Sequence, residues 1–316
     1  MPTINPQYRD ATRSEAKACI AIEGTSGKGK SGLALAIAYY LGGEDWTKVN
    51  AIDTENRSLD LFEGINLHTG PRIGKFRKID LLDSHGYAPT NYLACIDRSI
   101  ADGAEVQIVD SSTHMWQARG GMLQIVANEQ EKSAKLNNWT AWGTPTSIKE
   151  KDSIVKCIRS SEIHMISTIR MKEKLELVDK KIKSFGMKAQ HMPDLIFEPD
   201  LVLTMEHAGS PEGDPPIASV HKSRYAIFKV GEQYTFDKSL ILQLKAYLQE
   251  GVDIADLKEQ QRTERIAEIE RYLDEATSSG TLSMYKELKK QQGIPDKELK
   301  DFTLAEARTM IQILMA

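Results

Sequence analysis

Eight consecutive residues near the start of the chain combine glycines with a lysine and a serine in a fixed order. They read Gly24-Thr25-Ser26-Gly27-Lys28-Gly29-Lys30-Ser31. Glycines allow successive backbone N–H groups to turn toward one point, which forms a nest for an anion. The lysine adds positive charge, and the serine hydroxyl adds an oxygen ligand for a hard cation. This order of residues predicts a loop that holds the phosphates of a nucleotide.

The elements on either side of this loop are those that such a site requires. Residues 18–23 (ACIAIE) predict a buried strand, and residues 30–41 have the apolar spacing of a helix. A helix that begins at the loop adds its N-terminal dipole to the anion site. In this context the pattern is a P-loop, so Lys30 is predicted to reach the β- and γ-phosphates of ATP and Ser31 to ligate Mg²⁺. A glycine-rich turn without a ligand is the alternative.

Two carboxylates stand at the ends of other predicted strands. Asp110 ends the run VQIVD, and Glu55 follows the run VNAID by two residues. Because the carboxyl ends of parallel strands line one crevice, both side chains would face the phosphate loop. Asp110 is predicted to be a further ligand of Mg²⁺, and Glu55 is predicted to orient or deprotonate the attacking water. A turn-capping aspartate and an exposed loop glutamate are the respective alternatives.

Strands and helices alternate along most of the chain. Short apolar runs predict buried strands at 18–23, 49–53, 106–110, 163–169 and 201–205. Helical spacing predicts helices at 30–41, 91–101, 121–137 and 147–160. Such alternation is typical of an α/β fold, here a P-loop NTPase with a mostly parallel twisted sheet flanked by helices. Two further runs, 217–221 and 225–230, predict strands that close the sheet.

The last part of the chain is charged and helical from Asp253 onward. Its apolar stripe consists of Ile266, Ile269, Tyr272 and Leu273. Thr303 is predicted to cap a final helix over 304–314. We expect three parts, namely an N-terminal extension (1–16), an ATPase core (17–250) and a small C-terminal helical domain (251–316). The helical domain serves either packing or dimerisation, or DNA binding.

Composition narrows the classes of protein. The formal net charge of −4 gives no whole-chain attraction to nucleic acid, so any such surface must be a local patch. The three cysteines are widely spaced and odd in number, which argues against a disulfide framework or a metal cluster. No run of about 18 apolar residues is present. We therefore expect a cytoplasmic protein without a membrane partner.

Several segments resemble the RecA-like ATPase core. Residues 51–55 (AIDTE) are similar to the strand that delivers the catalytic glutamate of that family, residues 166–172 (ISTIRMK) to the strand that feeds its second DNA-binding loop, and residues 222–224 (KSR) to its K-x-R pair. With residues 139–145 (WTAWGTP) and 164–165 (HM) added, these segments resemble phage-encoded ATP-binding proteins of the RecA-core single-strand-annealing recombinase type. The resemblance covers roughly residues 17–235.

This resemblance implies roles for four residues. Glu55 would be the catalytic glutamate, and Lys222 and Arg224 would reach the γ-phosphate bound by a neighbouring subunit. That arrangement implies a homo-oligomer, either a ring or a filament. Thr168 stands where the family more often has a glutamine that senses the γ-phosphate, so Thr168 is expected to contact the nucleotide. For a phage-encoded protein, the cytoplasm of the bacterial host is the expected location.

A basic stretch follows the predicted strand at 163–169. The residues predicted to contact the backbone of single-stranded DNA are Arg170, Lys172, Lys174, Lys180, Lys181 and Lys183. Because this strand ends at the ATP site, a basic loop here would couple the nucleotide state to DNA contacts. The alternative is an ordinary solvated hairpin, since Glu173, Glu176 and Asp179 lie among the basic residues.

These patterns support more than one function. The first hypothesis is an ATP-dependent DNA-binding protein that acts in recombination or single-strand annealing and hydrolyses ATP at subunit interfaces. Its partners would be single-stranded DNA, further copies of the chain and a single-strand-binding protein. A ring-forming replicative helicase core or a helicase-loader-like motor is the alternative. A monomeric nucleotide-dependent kinase is the third hypothesis.

Overall fold

Nine strands form one sheet in the part of the chain that the computed structural model describes. They are β1 (Cys19–Gly24), β2 (Val49–Asp53), β3 (Arg77–Asp80), β4 (Val106–Asp110), β5 (His164–Val178), β6 (Lys181–Ala189), β7 (Leu201–His207), β8 (Ile217–Ser223) and β9 (Gln233–Thr235). Their order is β3-β2-β4-β5-β1-β7-β8-β9, and β6 pairs with β5. The first six strands of this order are parallel, whereas β8, β9 and β6 pair antiparallel with their neighbours.

The described residues are 16–67, 71–132, 135–160, 162–178, 181–209, 215–250, 254–279, 287, 290, 294, 298–303, 306–307 and 309–311. The chain divides into two compact units, Met1–Gln249 and Glu250–Ala316. The sheet belongs to the first unit.

The central strands are buried along their whole length. Every residue of β1, β2 and β4 is buried, because these strands carry apolar side chains on both faces, as parallel strands covered by helices do. The predicted α/β fold class, a mostly parallel sheet flanked by helices, is confirmed. The polar residues that matter for function therefore lie where these strands end.

The described residues contain eight α-helices, of which the last lies in the second unit. They are α1 (Lys30–Leu41), α2 (Pro89–Ala101), α3 (Thr113–Gln117), α4 (Met122–Glu131), α5 (Asn138–Ala141), α6 (Pro145–Ile158), α7 (Lys238–Lys245) and α8 (Ile254–Ser279). Helix α1 contacts β1, β4 and β5, and α7 packs on α1. Helices α2 and α6 pack together, with α2 against β2 and α6 against β5. The core of this second group includes Ile52, Tyr92, Met115, Ile154 and Met165.

Two predicted elements differ from the structure. The helix expected over 121–137 is shorter, because α4 ends at Glu131, and the next helix, α5, begins only at Asn138. The Asn137 side chain accepts a hydrogen bond from the Thr140 N–H and so starts a new helix with its own cap. The strand expected over 225–230 was wrong. Ser223 Oγ bonds the backbone of Tyr225, which turns the chain, and β9 pairs with β8 instead.

Strands β5 and β6 form a hairpin, which is the expected alternative to a basic loop for this segment. The first half of β5 lies in the sheet between β4 and β1, up to the pair Gly24 and Arg170. Beyond that point β5 pairs only with β6, from Met171 opposite Ala189 to Val178 opposite Lys181. Strand β5 therefore connects the sheet directly to a separate two-stranded ribbon.

The second unit has a small apolar core of its own. Its buried residues are Ile269, Ile294, Phe302, Ala307, Met310 and Ile311. Tyr272 and Leu273 of the predicted stripe pack against this core. The Thr303 hydroxyl accepts a hydrogen bond from the Glu306 N–H at 3.3 Å, and Thr303 N–H donates to Glu306 Oε2 at 2.6 Å. Thr303 therefore caps the last helix, as the sequence predicts.

Smaller features of the described residues complete the fold. All three cysteines are free thiols, and no set of metal-ligating His, Cys, Asp and Glu is found among the described residues. His164 is a buried core histidine whose Nδ1 accepts the Ala18 N–H at 2.8 Å. Within the described part of the chain, no helix combines the length and the apolar character needed to span a membrane.

Candidate active site

The glycine-rich loop joins β1 to α1 at the carboxyl edge of the sheet. Gly27 and Gly29 have φ angles of 77° and 78°, in the left-handed region where only glycine is unstrained. A side chain at Gly29 would also approach Ala208 Cα to 2.9 Å. Gly29 caps α1 without any side-chain hydrogen bond, so the first-turn N–H groups are directed at the loop. The backbone thus forms a cradle suited to an anion.

Lys30 folds back over this cradle. Its Nζ donates to the Thr25 carbonyl at 2.9 Å, and the residue is only 8% exposed. Burial lowers the pKa of Lys30, while the nearby Glu55 and Asp110 carboxylates oppose that shift. Lys28 lies elsewhere, because its Nζ donates to the Glu206 carbonyl at 2.9 Å. Of these two lysines, only Lys30 faces the acidic residues of the site.

Asp110 is buried at the end of β4, directly beside the loop. Ser31 Oγ donates to Asp110 Oδ2 at 2.7 Å, and Thr168 Oγ1 donates to Asp110 Oδ1 at 2.5 Å. Burial raises the pKa of Asp110, and these two hydroxyl donors oppose the rise. A hydroxyl and a carboxylate held this close are the hard oxygen ligands that Mg²⁺ prefers. The residues present therefore fit a magnesium ion shared with phosphates.

Thr168 lies behind Asp110. Its side chain is fully buried and its hydroxyl is directed at Asp110 rather than at the open edge of the loop. This position supports a reassignment of Thr168 to holding Asp110, while its expected contact with the nucleotide stays a prediction. Outer contacts of this kind fix the orientation of a metal-binding carboxylate.

Glu55 lies in the same site and is paired with an arginine. Arg170 Nε donates to Glu55 Oε1 at 2.8 Å. The turn after β2 is fixed by Asp53, whose Oδ1 accepts the Glu55 N–H at 2.9 Å. Burial alone would raise the pKa of Glu55, but the bond and the charge of Arg170 outweigh it, so the pKa lies below its ordinary value. The carboxylate is therefore ionised and held in place.

Sequence reasoning missed His114 and the position of Arg170. His114 Nδ1 lies 2.6 Å from Thr54 Oγ1, and Thr54 Oγ1 also accepts the Ser111 N–H at 2.9 Å. Burial, followed by the charge of Arg170, lowers the pKa of His114. The available signal was a histidine four residues after Asp110. Arg170 was expected on a DNA-binding loop, but it is at the nucleotide end of that segment.

Lys222 and Arg224 lie at the opposite edge of the sheet. Lys222 Nζ donates to the carbonyls of Ile196 and Phe197 at 2.9 Å and 2.7 Å. Arg224 donates to Asp200 Oδ1 at 2.9 Å and to the Phe197 carbonyl at 3.1 Å. Asp200 directly precedes β7, and its N–H donates to the carbonyl of Cys19 at the start of β1. The fold does not bring this pair to the phosphate loop of the same chain.

The hairpin displays part of the predicted basic surface. Lys172 and Lys188 are exposed and face each other across β5 and β6, a like-charge pair that an anion between them would stabilise. The side chains of Lys174, Lys181 and Lys183, and Lys180 as a whole, lie outside the described residues. The DNA-binding prediction for these four lysines therefore stays a prediction.

The two tryptophans of residues 139–143 have separate environments. The Trp142 ring stacks on Trp116 with centroids 5.9 Å apart, so Trp142 anchors its loop to the core. Trp139 is 87% exposed.

A cavity of about 140 Å³ opens beside the start of α1. Leu33, Phe62 and Leu67 are among the residues that line it.

Comparison with known proteins adds little beyond the fold. No protein-family model matches the chain, and no curated protein matches its sequence. Among solved structures, the chain is similar to a KaiC-like protein from the hyperthermophilic archaeon Pyrococcus horikoshii OT3, with a TM-score of 0.37 and 14% identity over 71% of this chain and 86% of the other. A likeness this distant carries no argument about activity, so function has to be inferred from the geometry of the site.

Proposed function

We propose that the chain is an Mg²⁺-dependent ATPase whose hydrolysis is coupled to single-stranded DNA. One observation carries the proposal. The glycine cradle, Lys30, the Ser31 and Asp110 pair, and Glu55 meet at one edge of the sheet, although they come from α1, β4 and the turn after β2. A phosphate nest, a pair of metal ligands and an ionised carboxylate are the parts that nucleotide hydrolysis requires.

The residues at this edge have separate tasks. Ser31 and Asp110 would hold Mg²⁺, which when bound neutralises charge on the phosphates. Lys30 would move from the Thr25 carbonyl to the phosphate oxygens, because a charged partner replaces a neutral one. Glu55, ionised and fixed, would accept a proton from the attacking water. Thr168 would keep Asp110 oriented throughout.

The finer part of the proposal concerns subunits and DNA. Lys222 and Arg224 lie too far from the loop of their own chain to act there, which supports a role at the nucleotide of a neighbouring copy in a ring or filament. Lys172 and Lys188 place positive charge on a ribbon that begins at the ATP site, which supports contact with the backbone of single-stranded DNA. Recombination or single-strand annealing is the process that we propose for this activity.

Steady-state hydrolysis by the purified chain tests the proposal. ATP turnover per subunit should need Mg²⁺, rise with protein concentration as subunits assemble, and rise again with single-stranded DNA. A monomeric nucleotide-dependent kinase would depend on neither protein concentration nor DNA, and that result would contradict the subunit and DNA parts. Absence of any Mg²⁺-dependent ATP hydrolysis under all these conditions would overturn the proposal as a whole.

A further inference from the structure

The pair of Arg170 and Glu55 crosses the site from one strand to another. Glu55 follows β2 and Arg170 belongs to β5, and β4, with Asp110 at its end, lies between these strands. The 2.8 Å bond from Arg170 Nε to Glu55 Oε1 therefore spans the edge where the metal ligands lie. The side chains are 39% and 24% exposed, so solvent screens the pair only in part.

The backbone of Arg170 is fixed from two directions. Its N–H donates to Thr113 Oγ1 at 2.9 Å, and its carbonyl accepts the Gln190 N–H at 2.8 Å. Arg170 is also the last residue of β5 that pairs with β1, opposite Gly24 of the phosphate loop. The guanidinium thus extends from a rigid point of the sheet, which is the condition for holding a second side chain accurately.

The hydrogen bond uses only one oxygen of the carboxylate. Among the described residues, no group donates to Glu55 Oε2, whereas Oε1 is taken by Arg170. A carboxylate with one oxygen fixed and the other available is arranged to receive a proton from a water molecule. The charged or titratable groups near Glu55 are Lys30 on α1, Asp53 on β2, Asp110 on β4, His114 on α3 and Arg170 on β5.

We propose that Arg170 is the positioning residue of Glu55, fixing Oε1 so that Oε2 faces the attacking water. This inference rests on the proposed ATPase function. Arg170 acts through Glu55. Its position in the sequence had instead suggested a contact with the DNA backbone. The consequence is that removal of Arg170 should impair the chemical step far more than it impairs nucleotide binding.

Steady-state kinetics of three variants test the inference. Arg170→Ala should lower kcat by about 10- to 100-fold, the cost of a misplaced catalytic group, and should leave KM for ATP within about twofold. Arg170→Lys should recover part of the loss because it keeps the charge. Without Arg170 the pKa of Glu55 rises, so the acid limb of the kcat profile should move to higher pH. Arg98→Ala, which removes an exposed arginine paired with Asp102 on α2, is the control and should change nothing.

The double variant Arg170→Ala/Glu55→Gln gives the sharpest readout. If Arg170 acts through Glu55, the double variant should be no slower than Glu55→Gln alone, because interacting residues are not additive. Additive losses, or a kcat of Arg170→Ala equal to that of the wild type, would overturn the inference while leaving the ATPase proposal intact. A wild-type chain without Mg²⁺-dependent hydrolysis would remove the ATPase proposal and this inference with it.

Discussion

The two ends of the parallel strands hold their charged residues in different ways. At the carboxyl ends, Lys30, Glu55 and Asp110 come from separate elements and interact with one another inside one chain. At the amino ends, Lys222 and Arg224 bond mainly to backbone carbonyls, and Arg224 is 53% exposed. The first region is a site that one chain assembles by itself. The second is a pair of basic residues that the fold keeps away from the phosphate loop of its own chain.

Loss of the outward-facing arginine should have the largest effect on turnover. Arg224→Ala should lower kcat by about 10³- to 10⁵-fold, as expected for an arginine that acts across an interface. Mixing Arg224→Ala subunits with Lys30→Ala subunits should restore part of the activity, measured as ATP turnover. Arg159→Ala is the matched control, since Arg159 also bonds Asp200, at 2.6 Å. Equal losses in the two arginine variants, without recovery on mixing, would contradict the difference between the two ends.

The glutamate of the carboxyl end should matter for chemistry alone. Glu55→Gln removes the proton acceptor but keeps the shape of the side chain, so kcat should fall by about 10²- to 10⁴-fold. Affinity for a non-hydrolysable ATP analogue, measured by calorimetry, should stay near that of the wild type. If Glu55→Gln kept its turnover, Glu55 would be a loop residue without a part in catalysis.

His164, the first residue of β5, should control stability rather than activity. Burial lowers its pKa from 6.5 to about 4, so on acidification the unfolded chain takes up a proton before the folded chain does. Stability is therefore complete above pH 6.5 and is lost as the pH falls toward 4, by about 3 kcal/mol at about 1.4 kcal/mol per pKa unit. Urea denaturation at several pH values measures this loss.

In this titration His164→Gln should remove most of the pH dependence. The exposed His207→Gln should leave it unchanged and serves as the control. If the free energy of unfolding depended equally on pH in the wild type, in His164→Gln and in His207→Gln, the amino end of β5 would not set acid stability.

The smallest effect is expected from the hydroxyl behind Asp110. Thr168→Val keeps the volume but removes the donor to Asp110 Oδ1, so Mg²⁺ affinity in the presence of nucleotide should fall by about 10- to 100-fold. Thr168→Ser keeps a hydroxyl and is the matched control. If valine and serine gave the same Mg²⁺ dependence of turnover, the reassignment of Thr168 would be wrong.

Local sequence patterns predicted the phosphate loop and the strands around it for a physical reason. The loop depends on positive φ angles at Gly27 and Gly29, which glycine adopts without strain, so the glycines in the sequence indicate them. Buried parallel strands are marked in the sequence by continuous apolar runs. Asp110 was placed correctly beside Ser31 because it ends such a run. Lys30 and Glu55 come close to Asp110 because the phosphate loop and the turn after β2 lie at the same ends of these parallel strands.

Features that depend on contacts between distant segments could not be predicted in this way. Nothing near Arg170 in the sequence indicates that its guanidinium crosses β4 to reach Glu55. The direction of Thr168 follows from the pairing of β5 with β4, which no local pattern shows. The run 225–230 has the apolar residues of a strand, but a serine hydroxyl and aromatic packing turn it aside.

The most direct test of the account is the affinity of the carboxyl-end site for a triphosphate. Titration calorimetry should show that a non-hydrolysable ATP analogue binds the wild-type chain in the presence of Mg²⁺. Binding should fall by at least about 100-fold in Lys30→Ala, since a charged hydrogen bond to the phosphates is lost. Lys28→Ala, the neighbouring lysine held at Glu206, should bind like the wild type. Equal affinity in all three proteins would show that the glycine-rich loop does not hold the nucleotide.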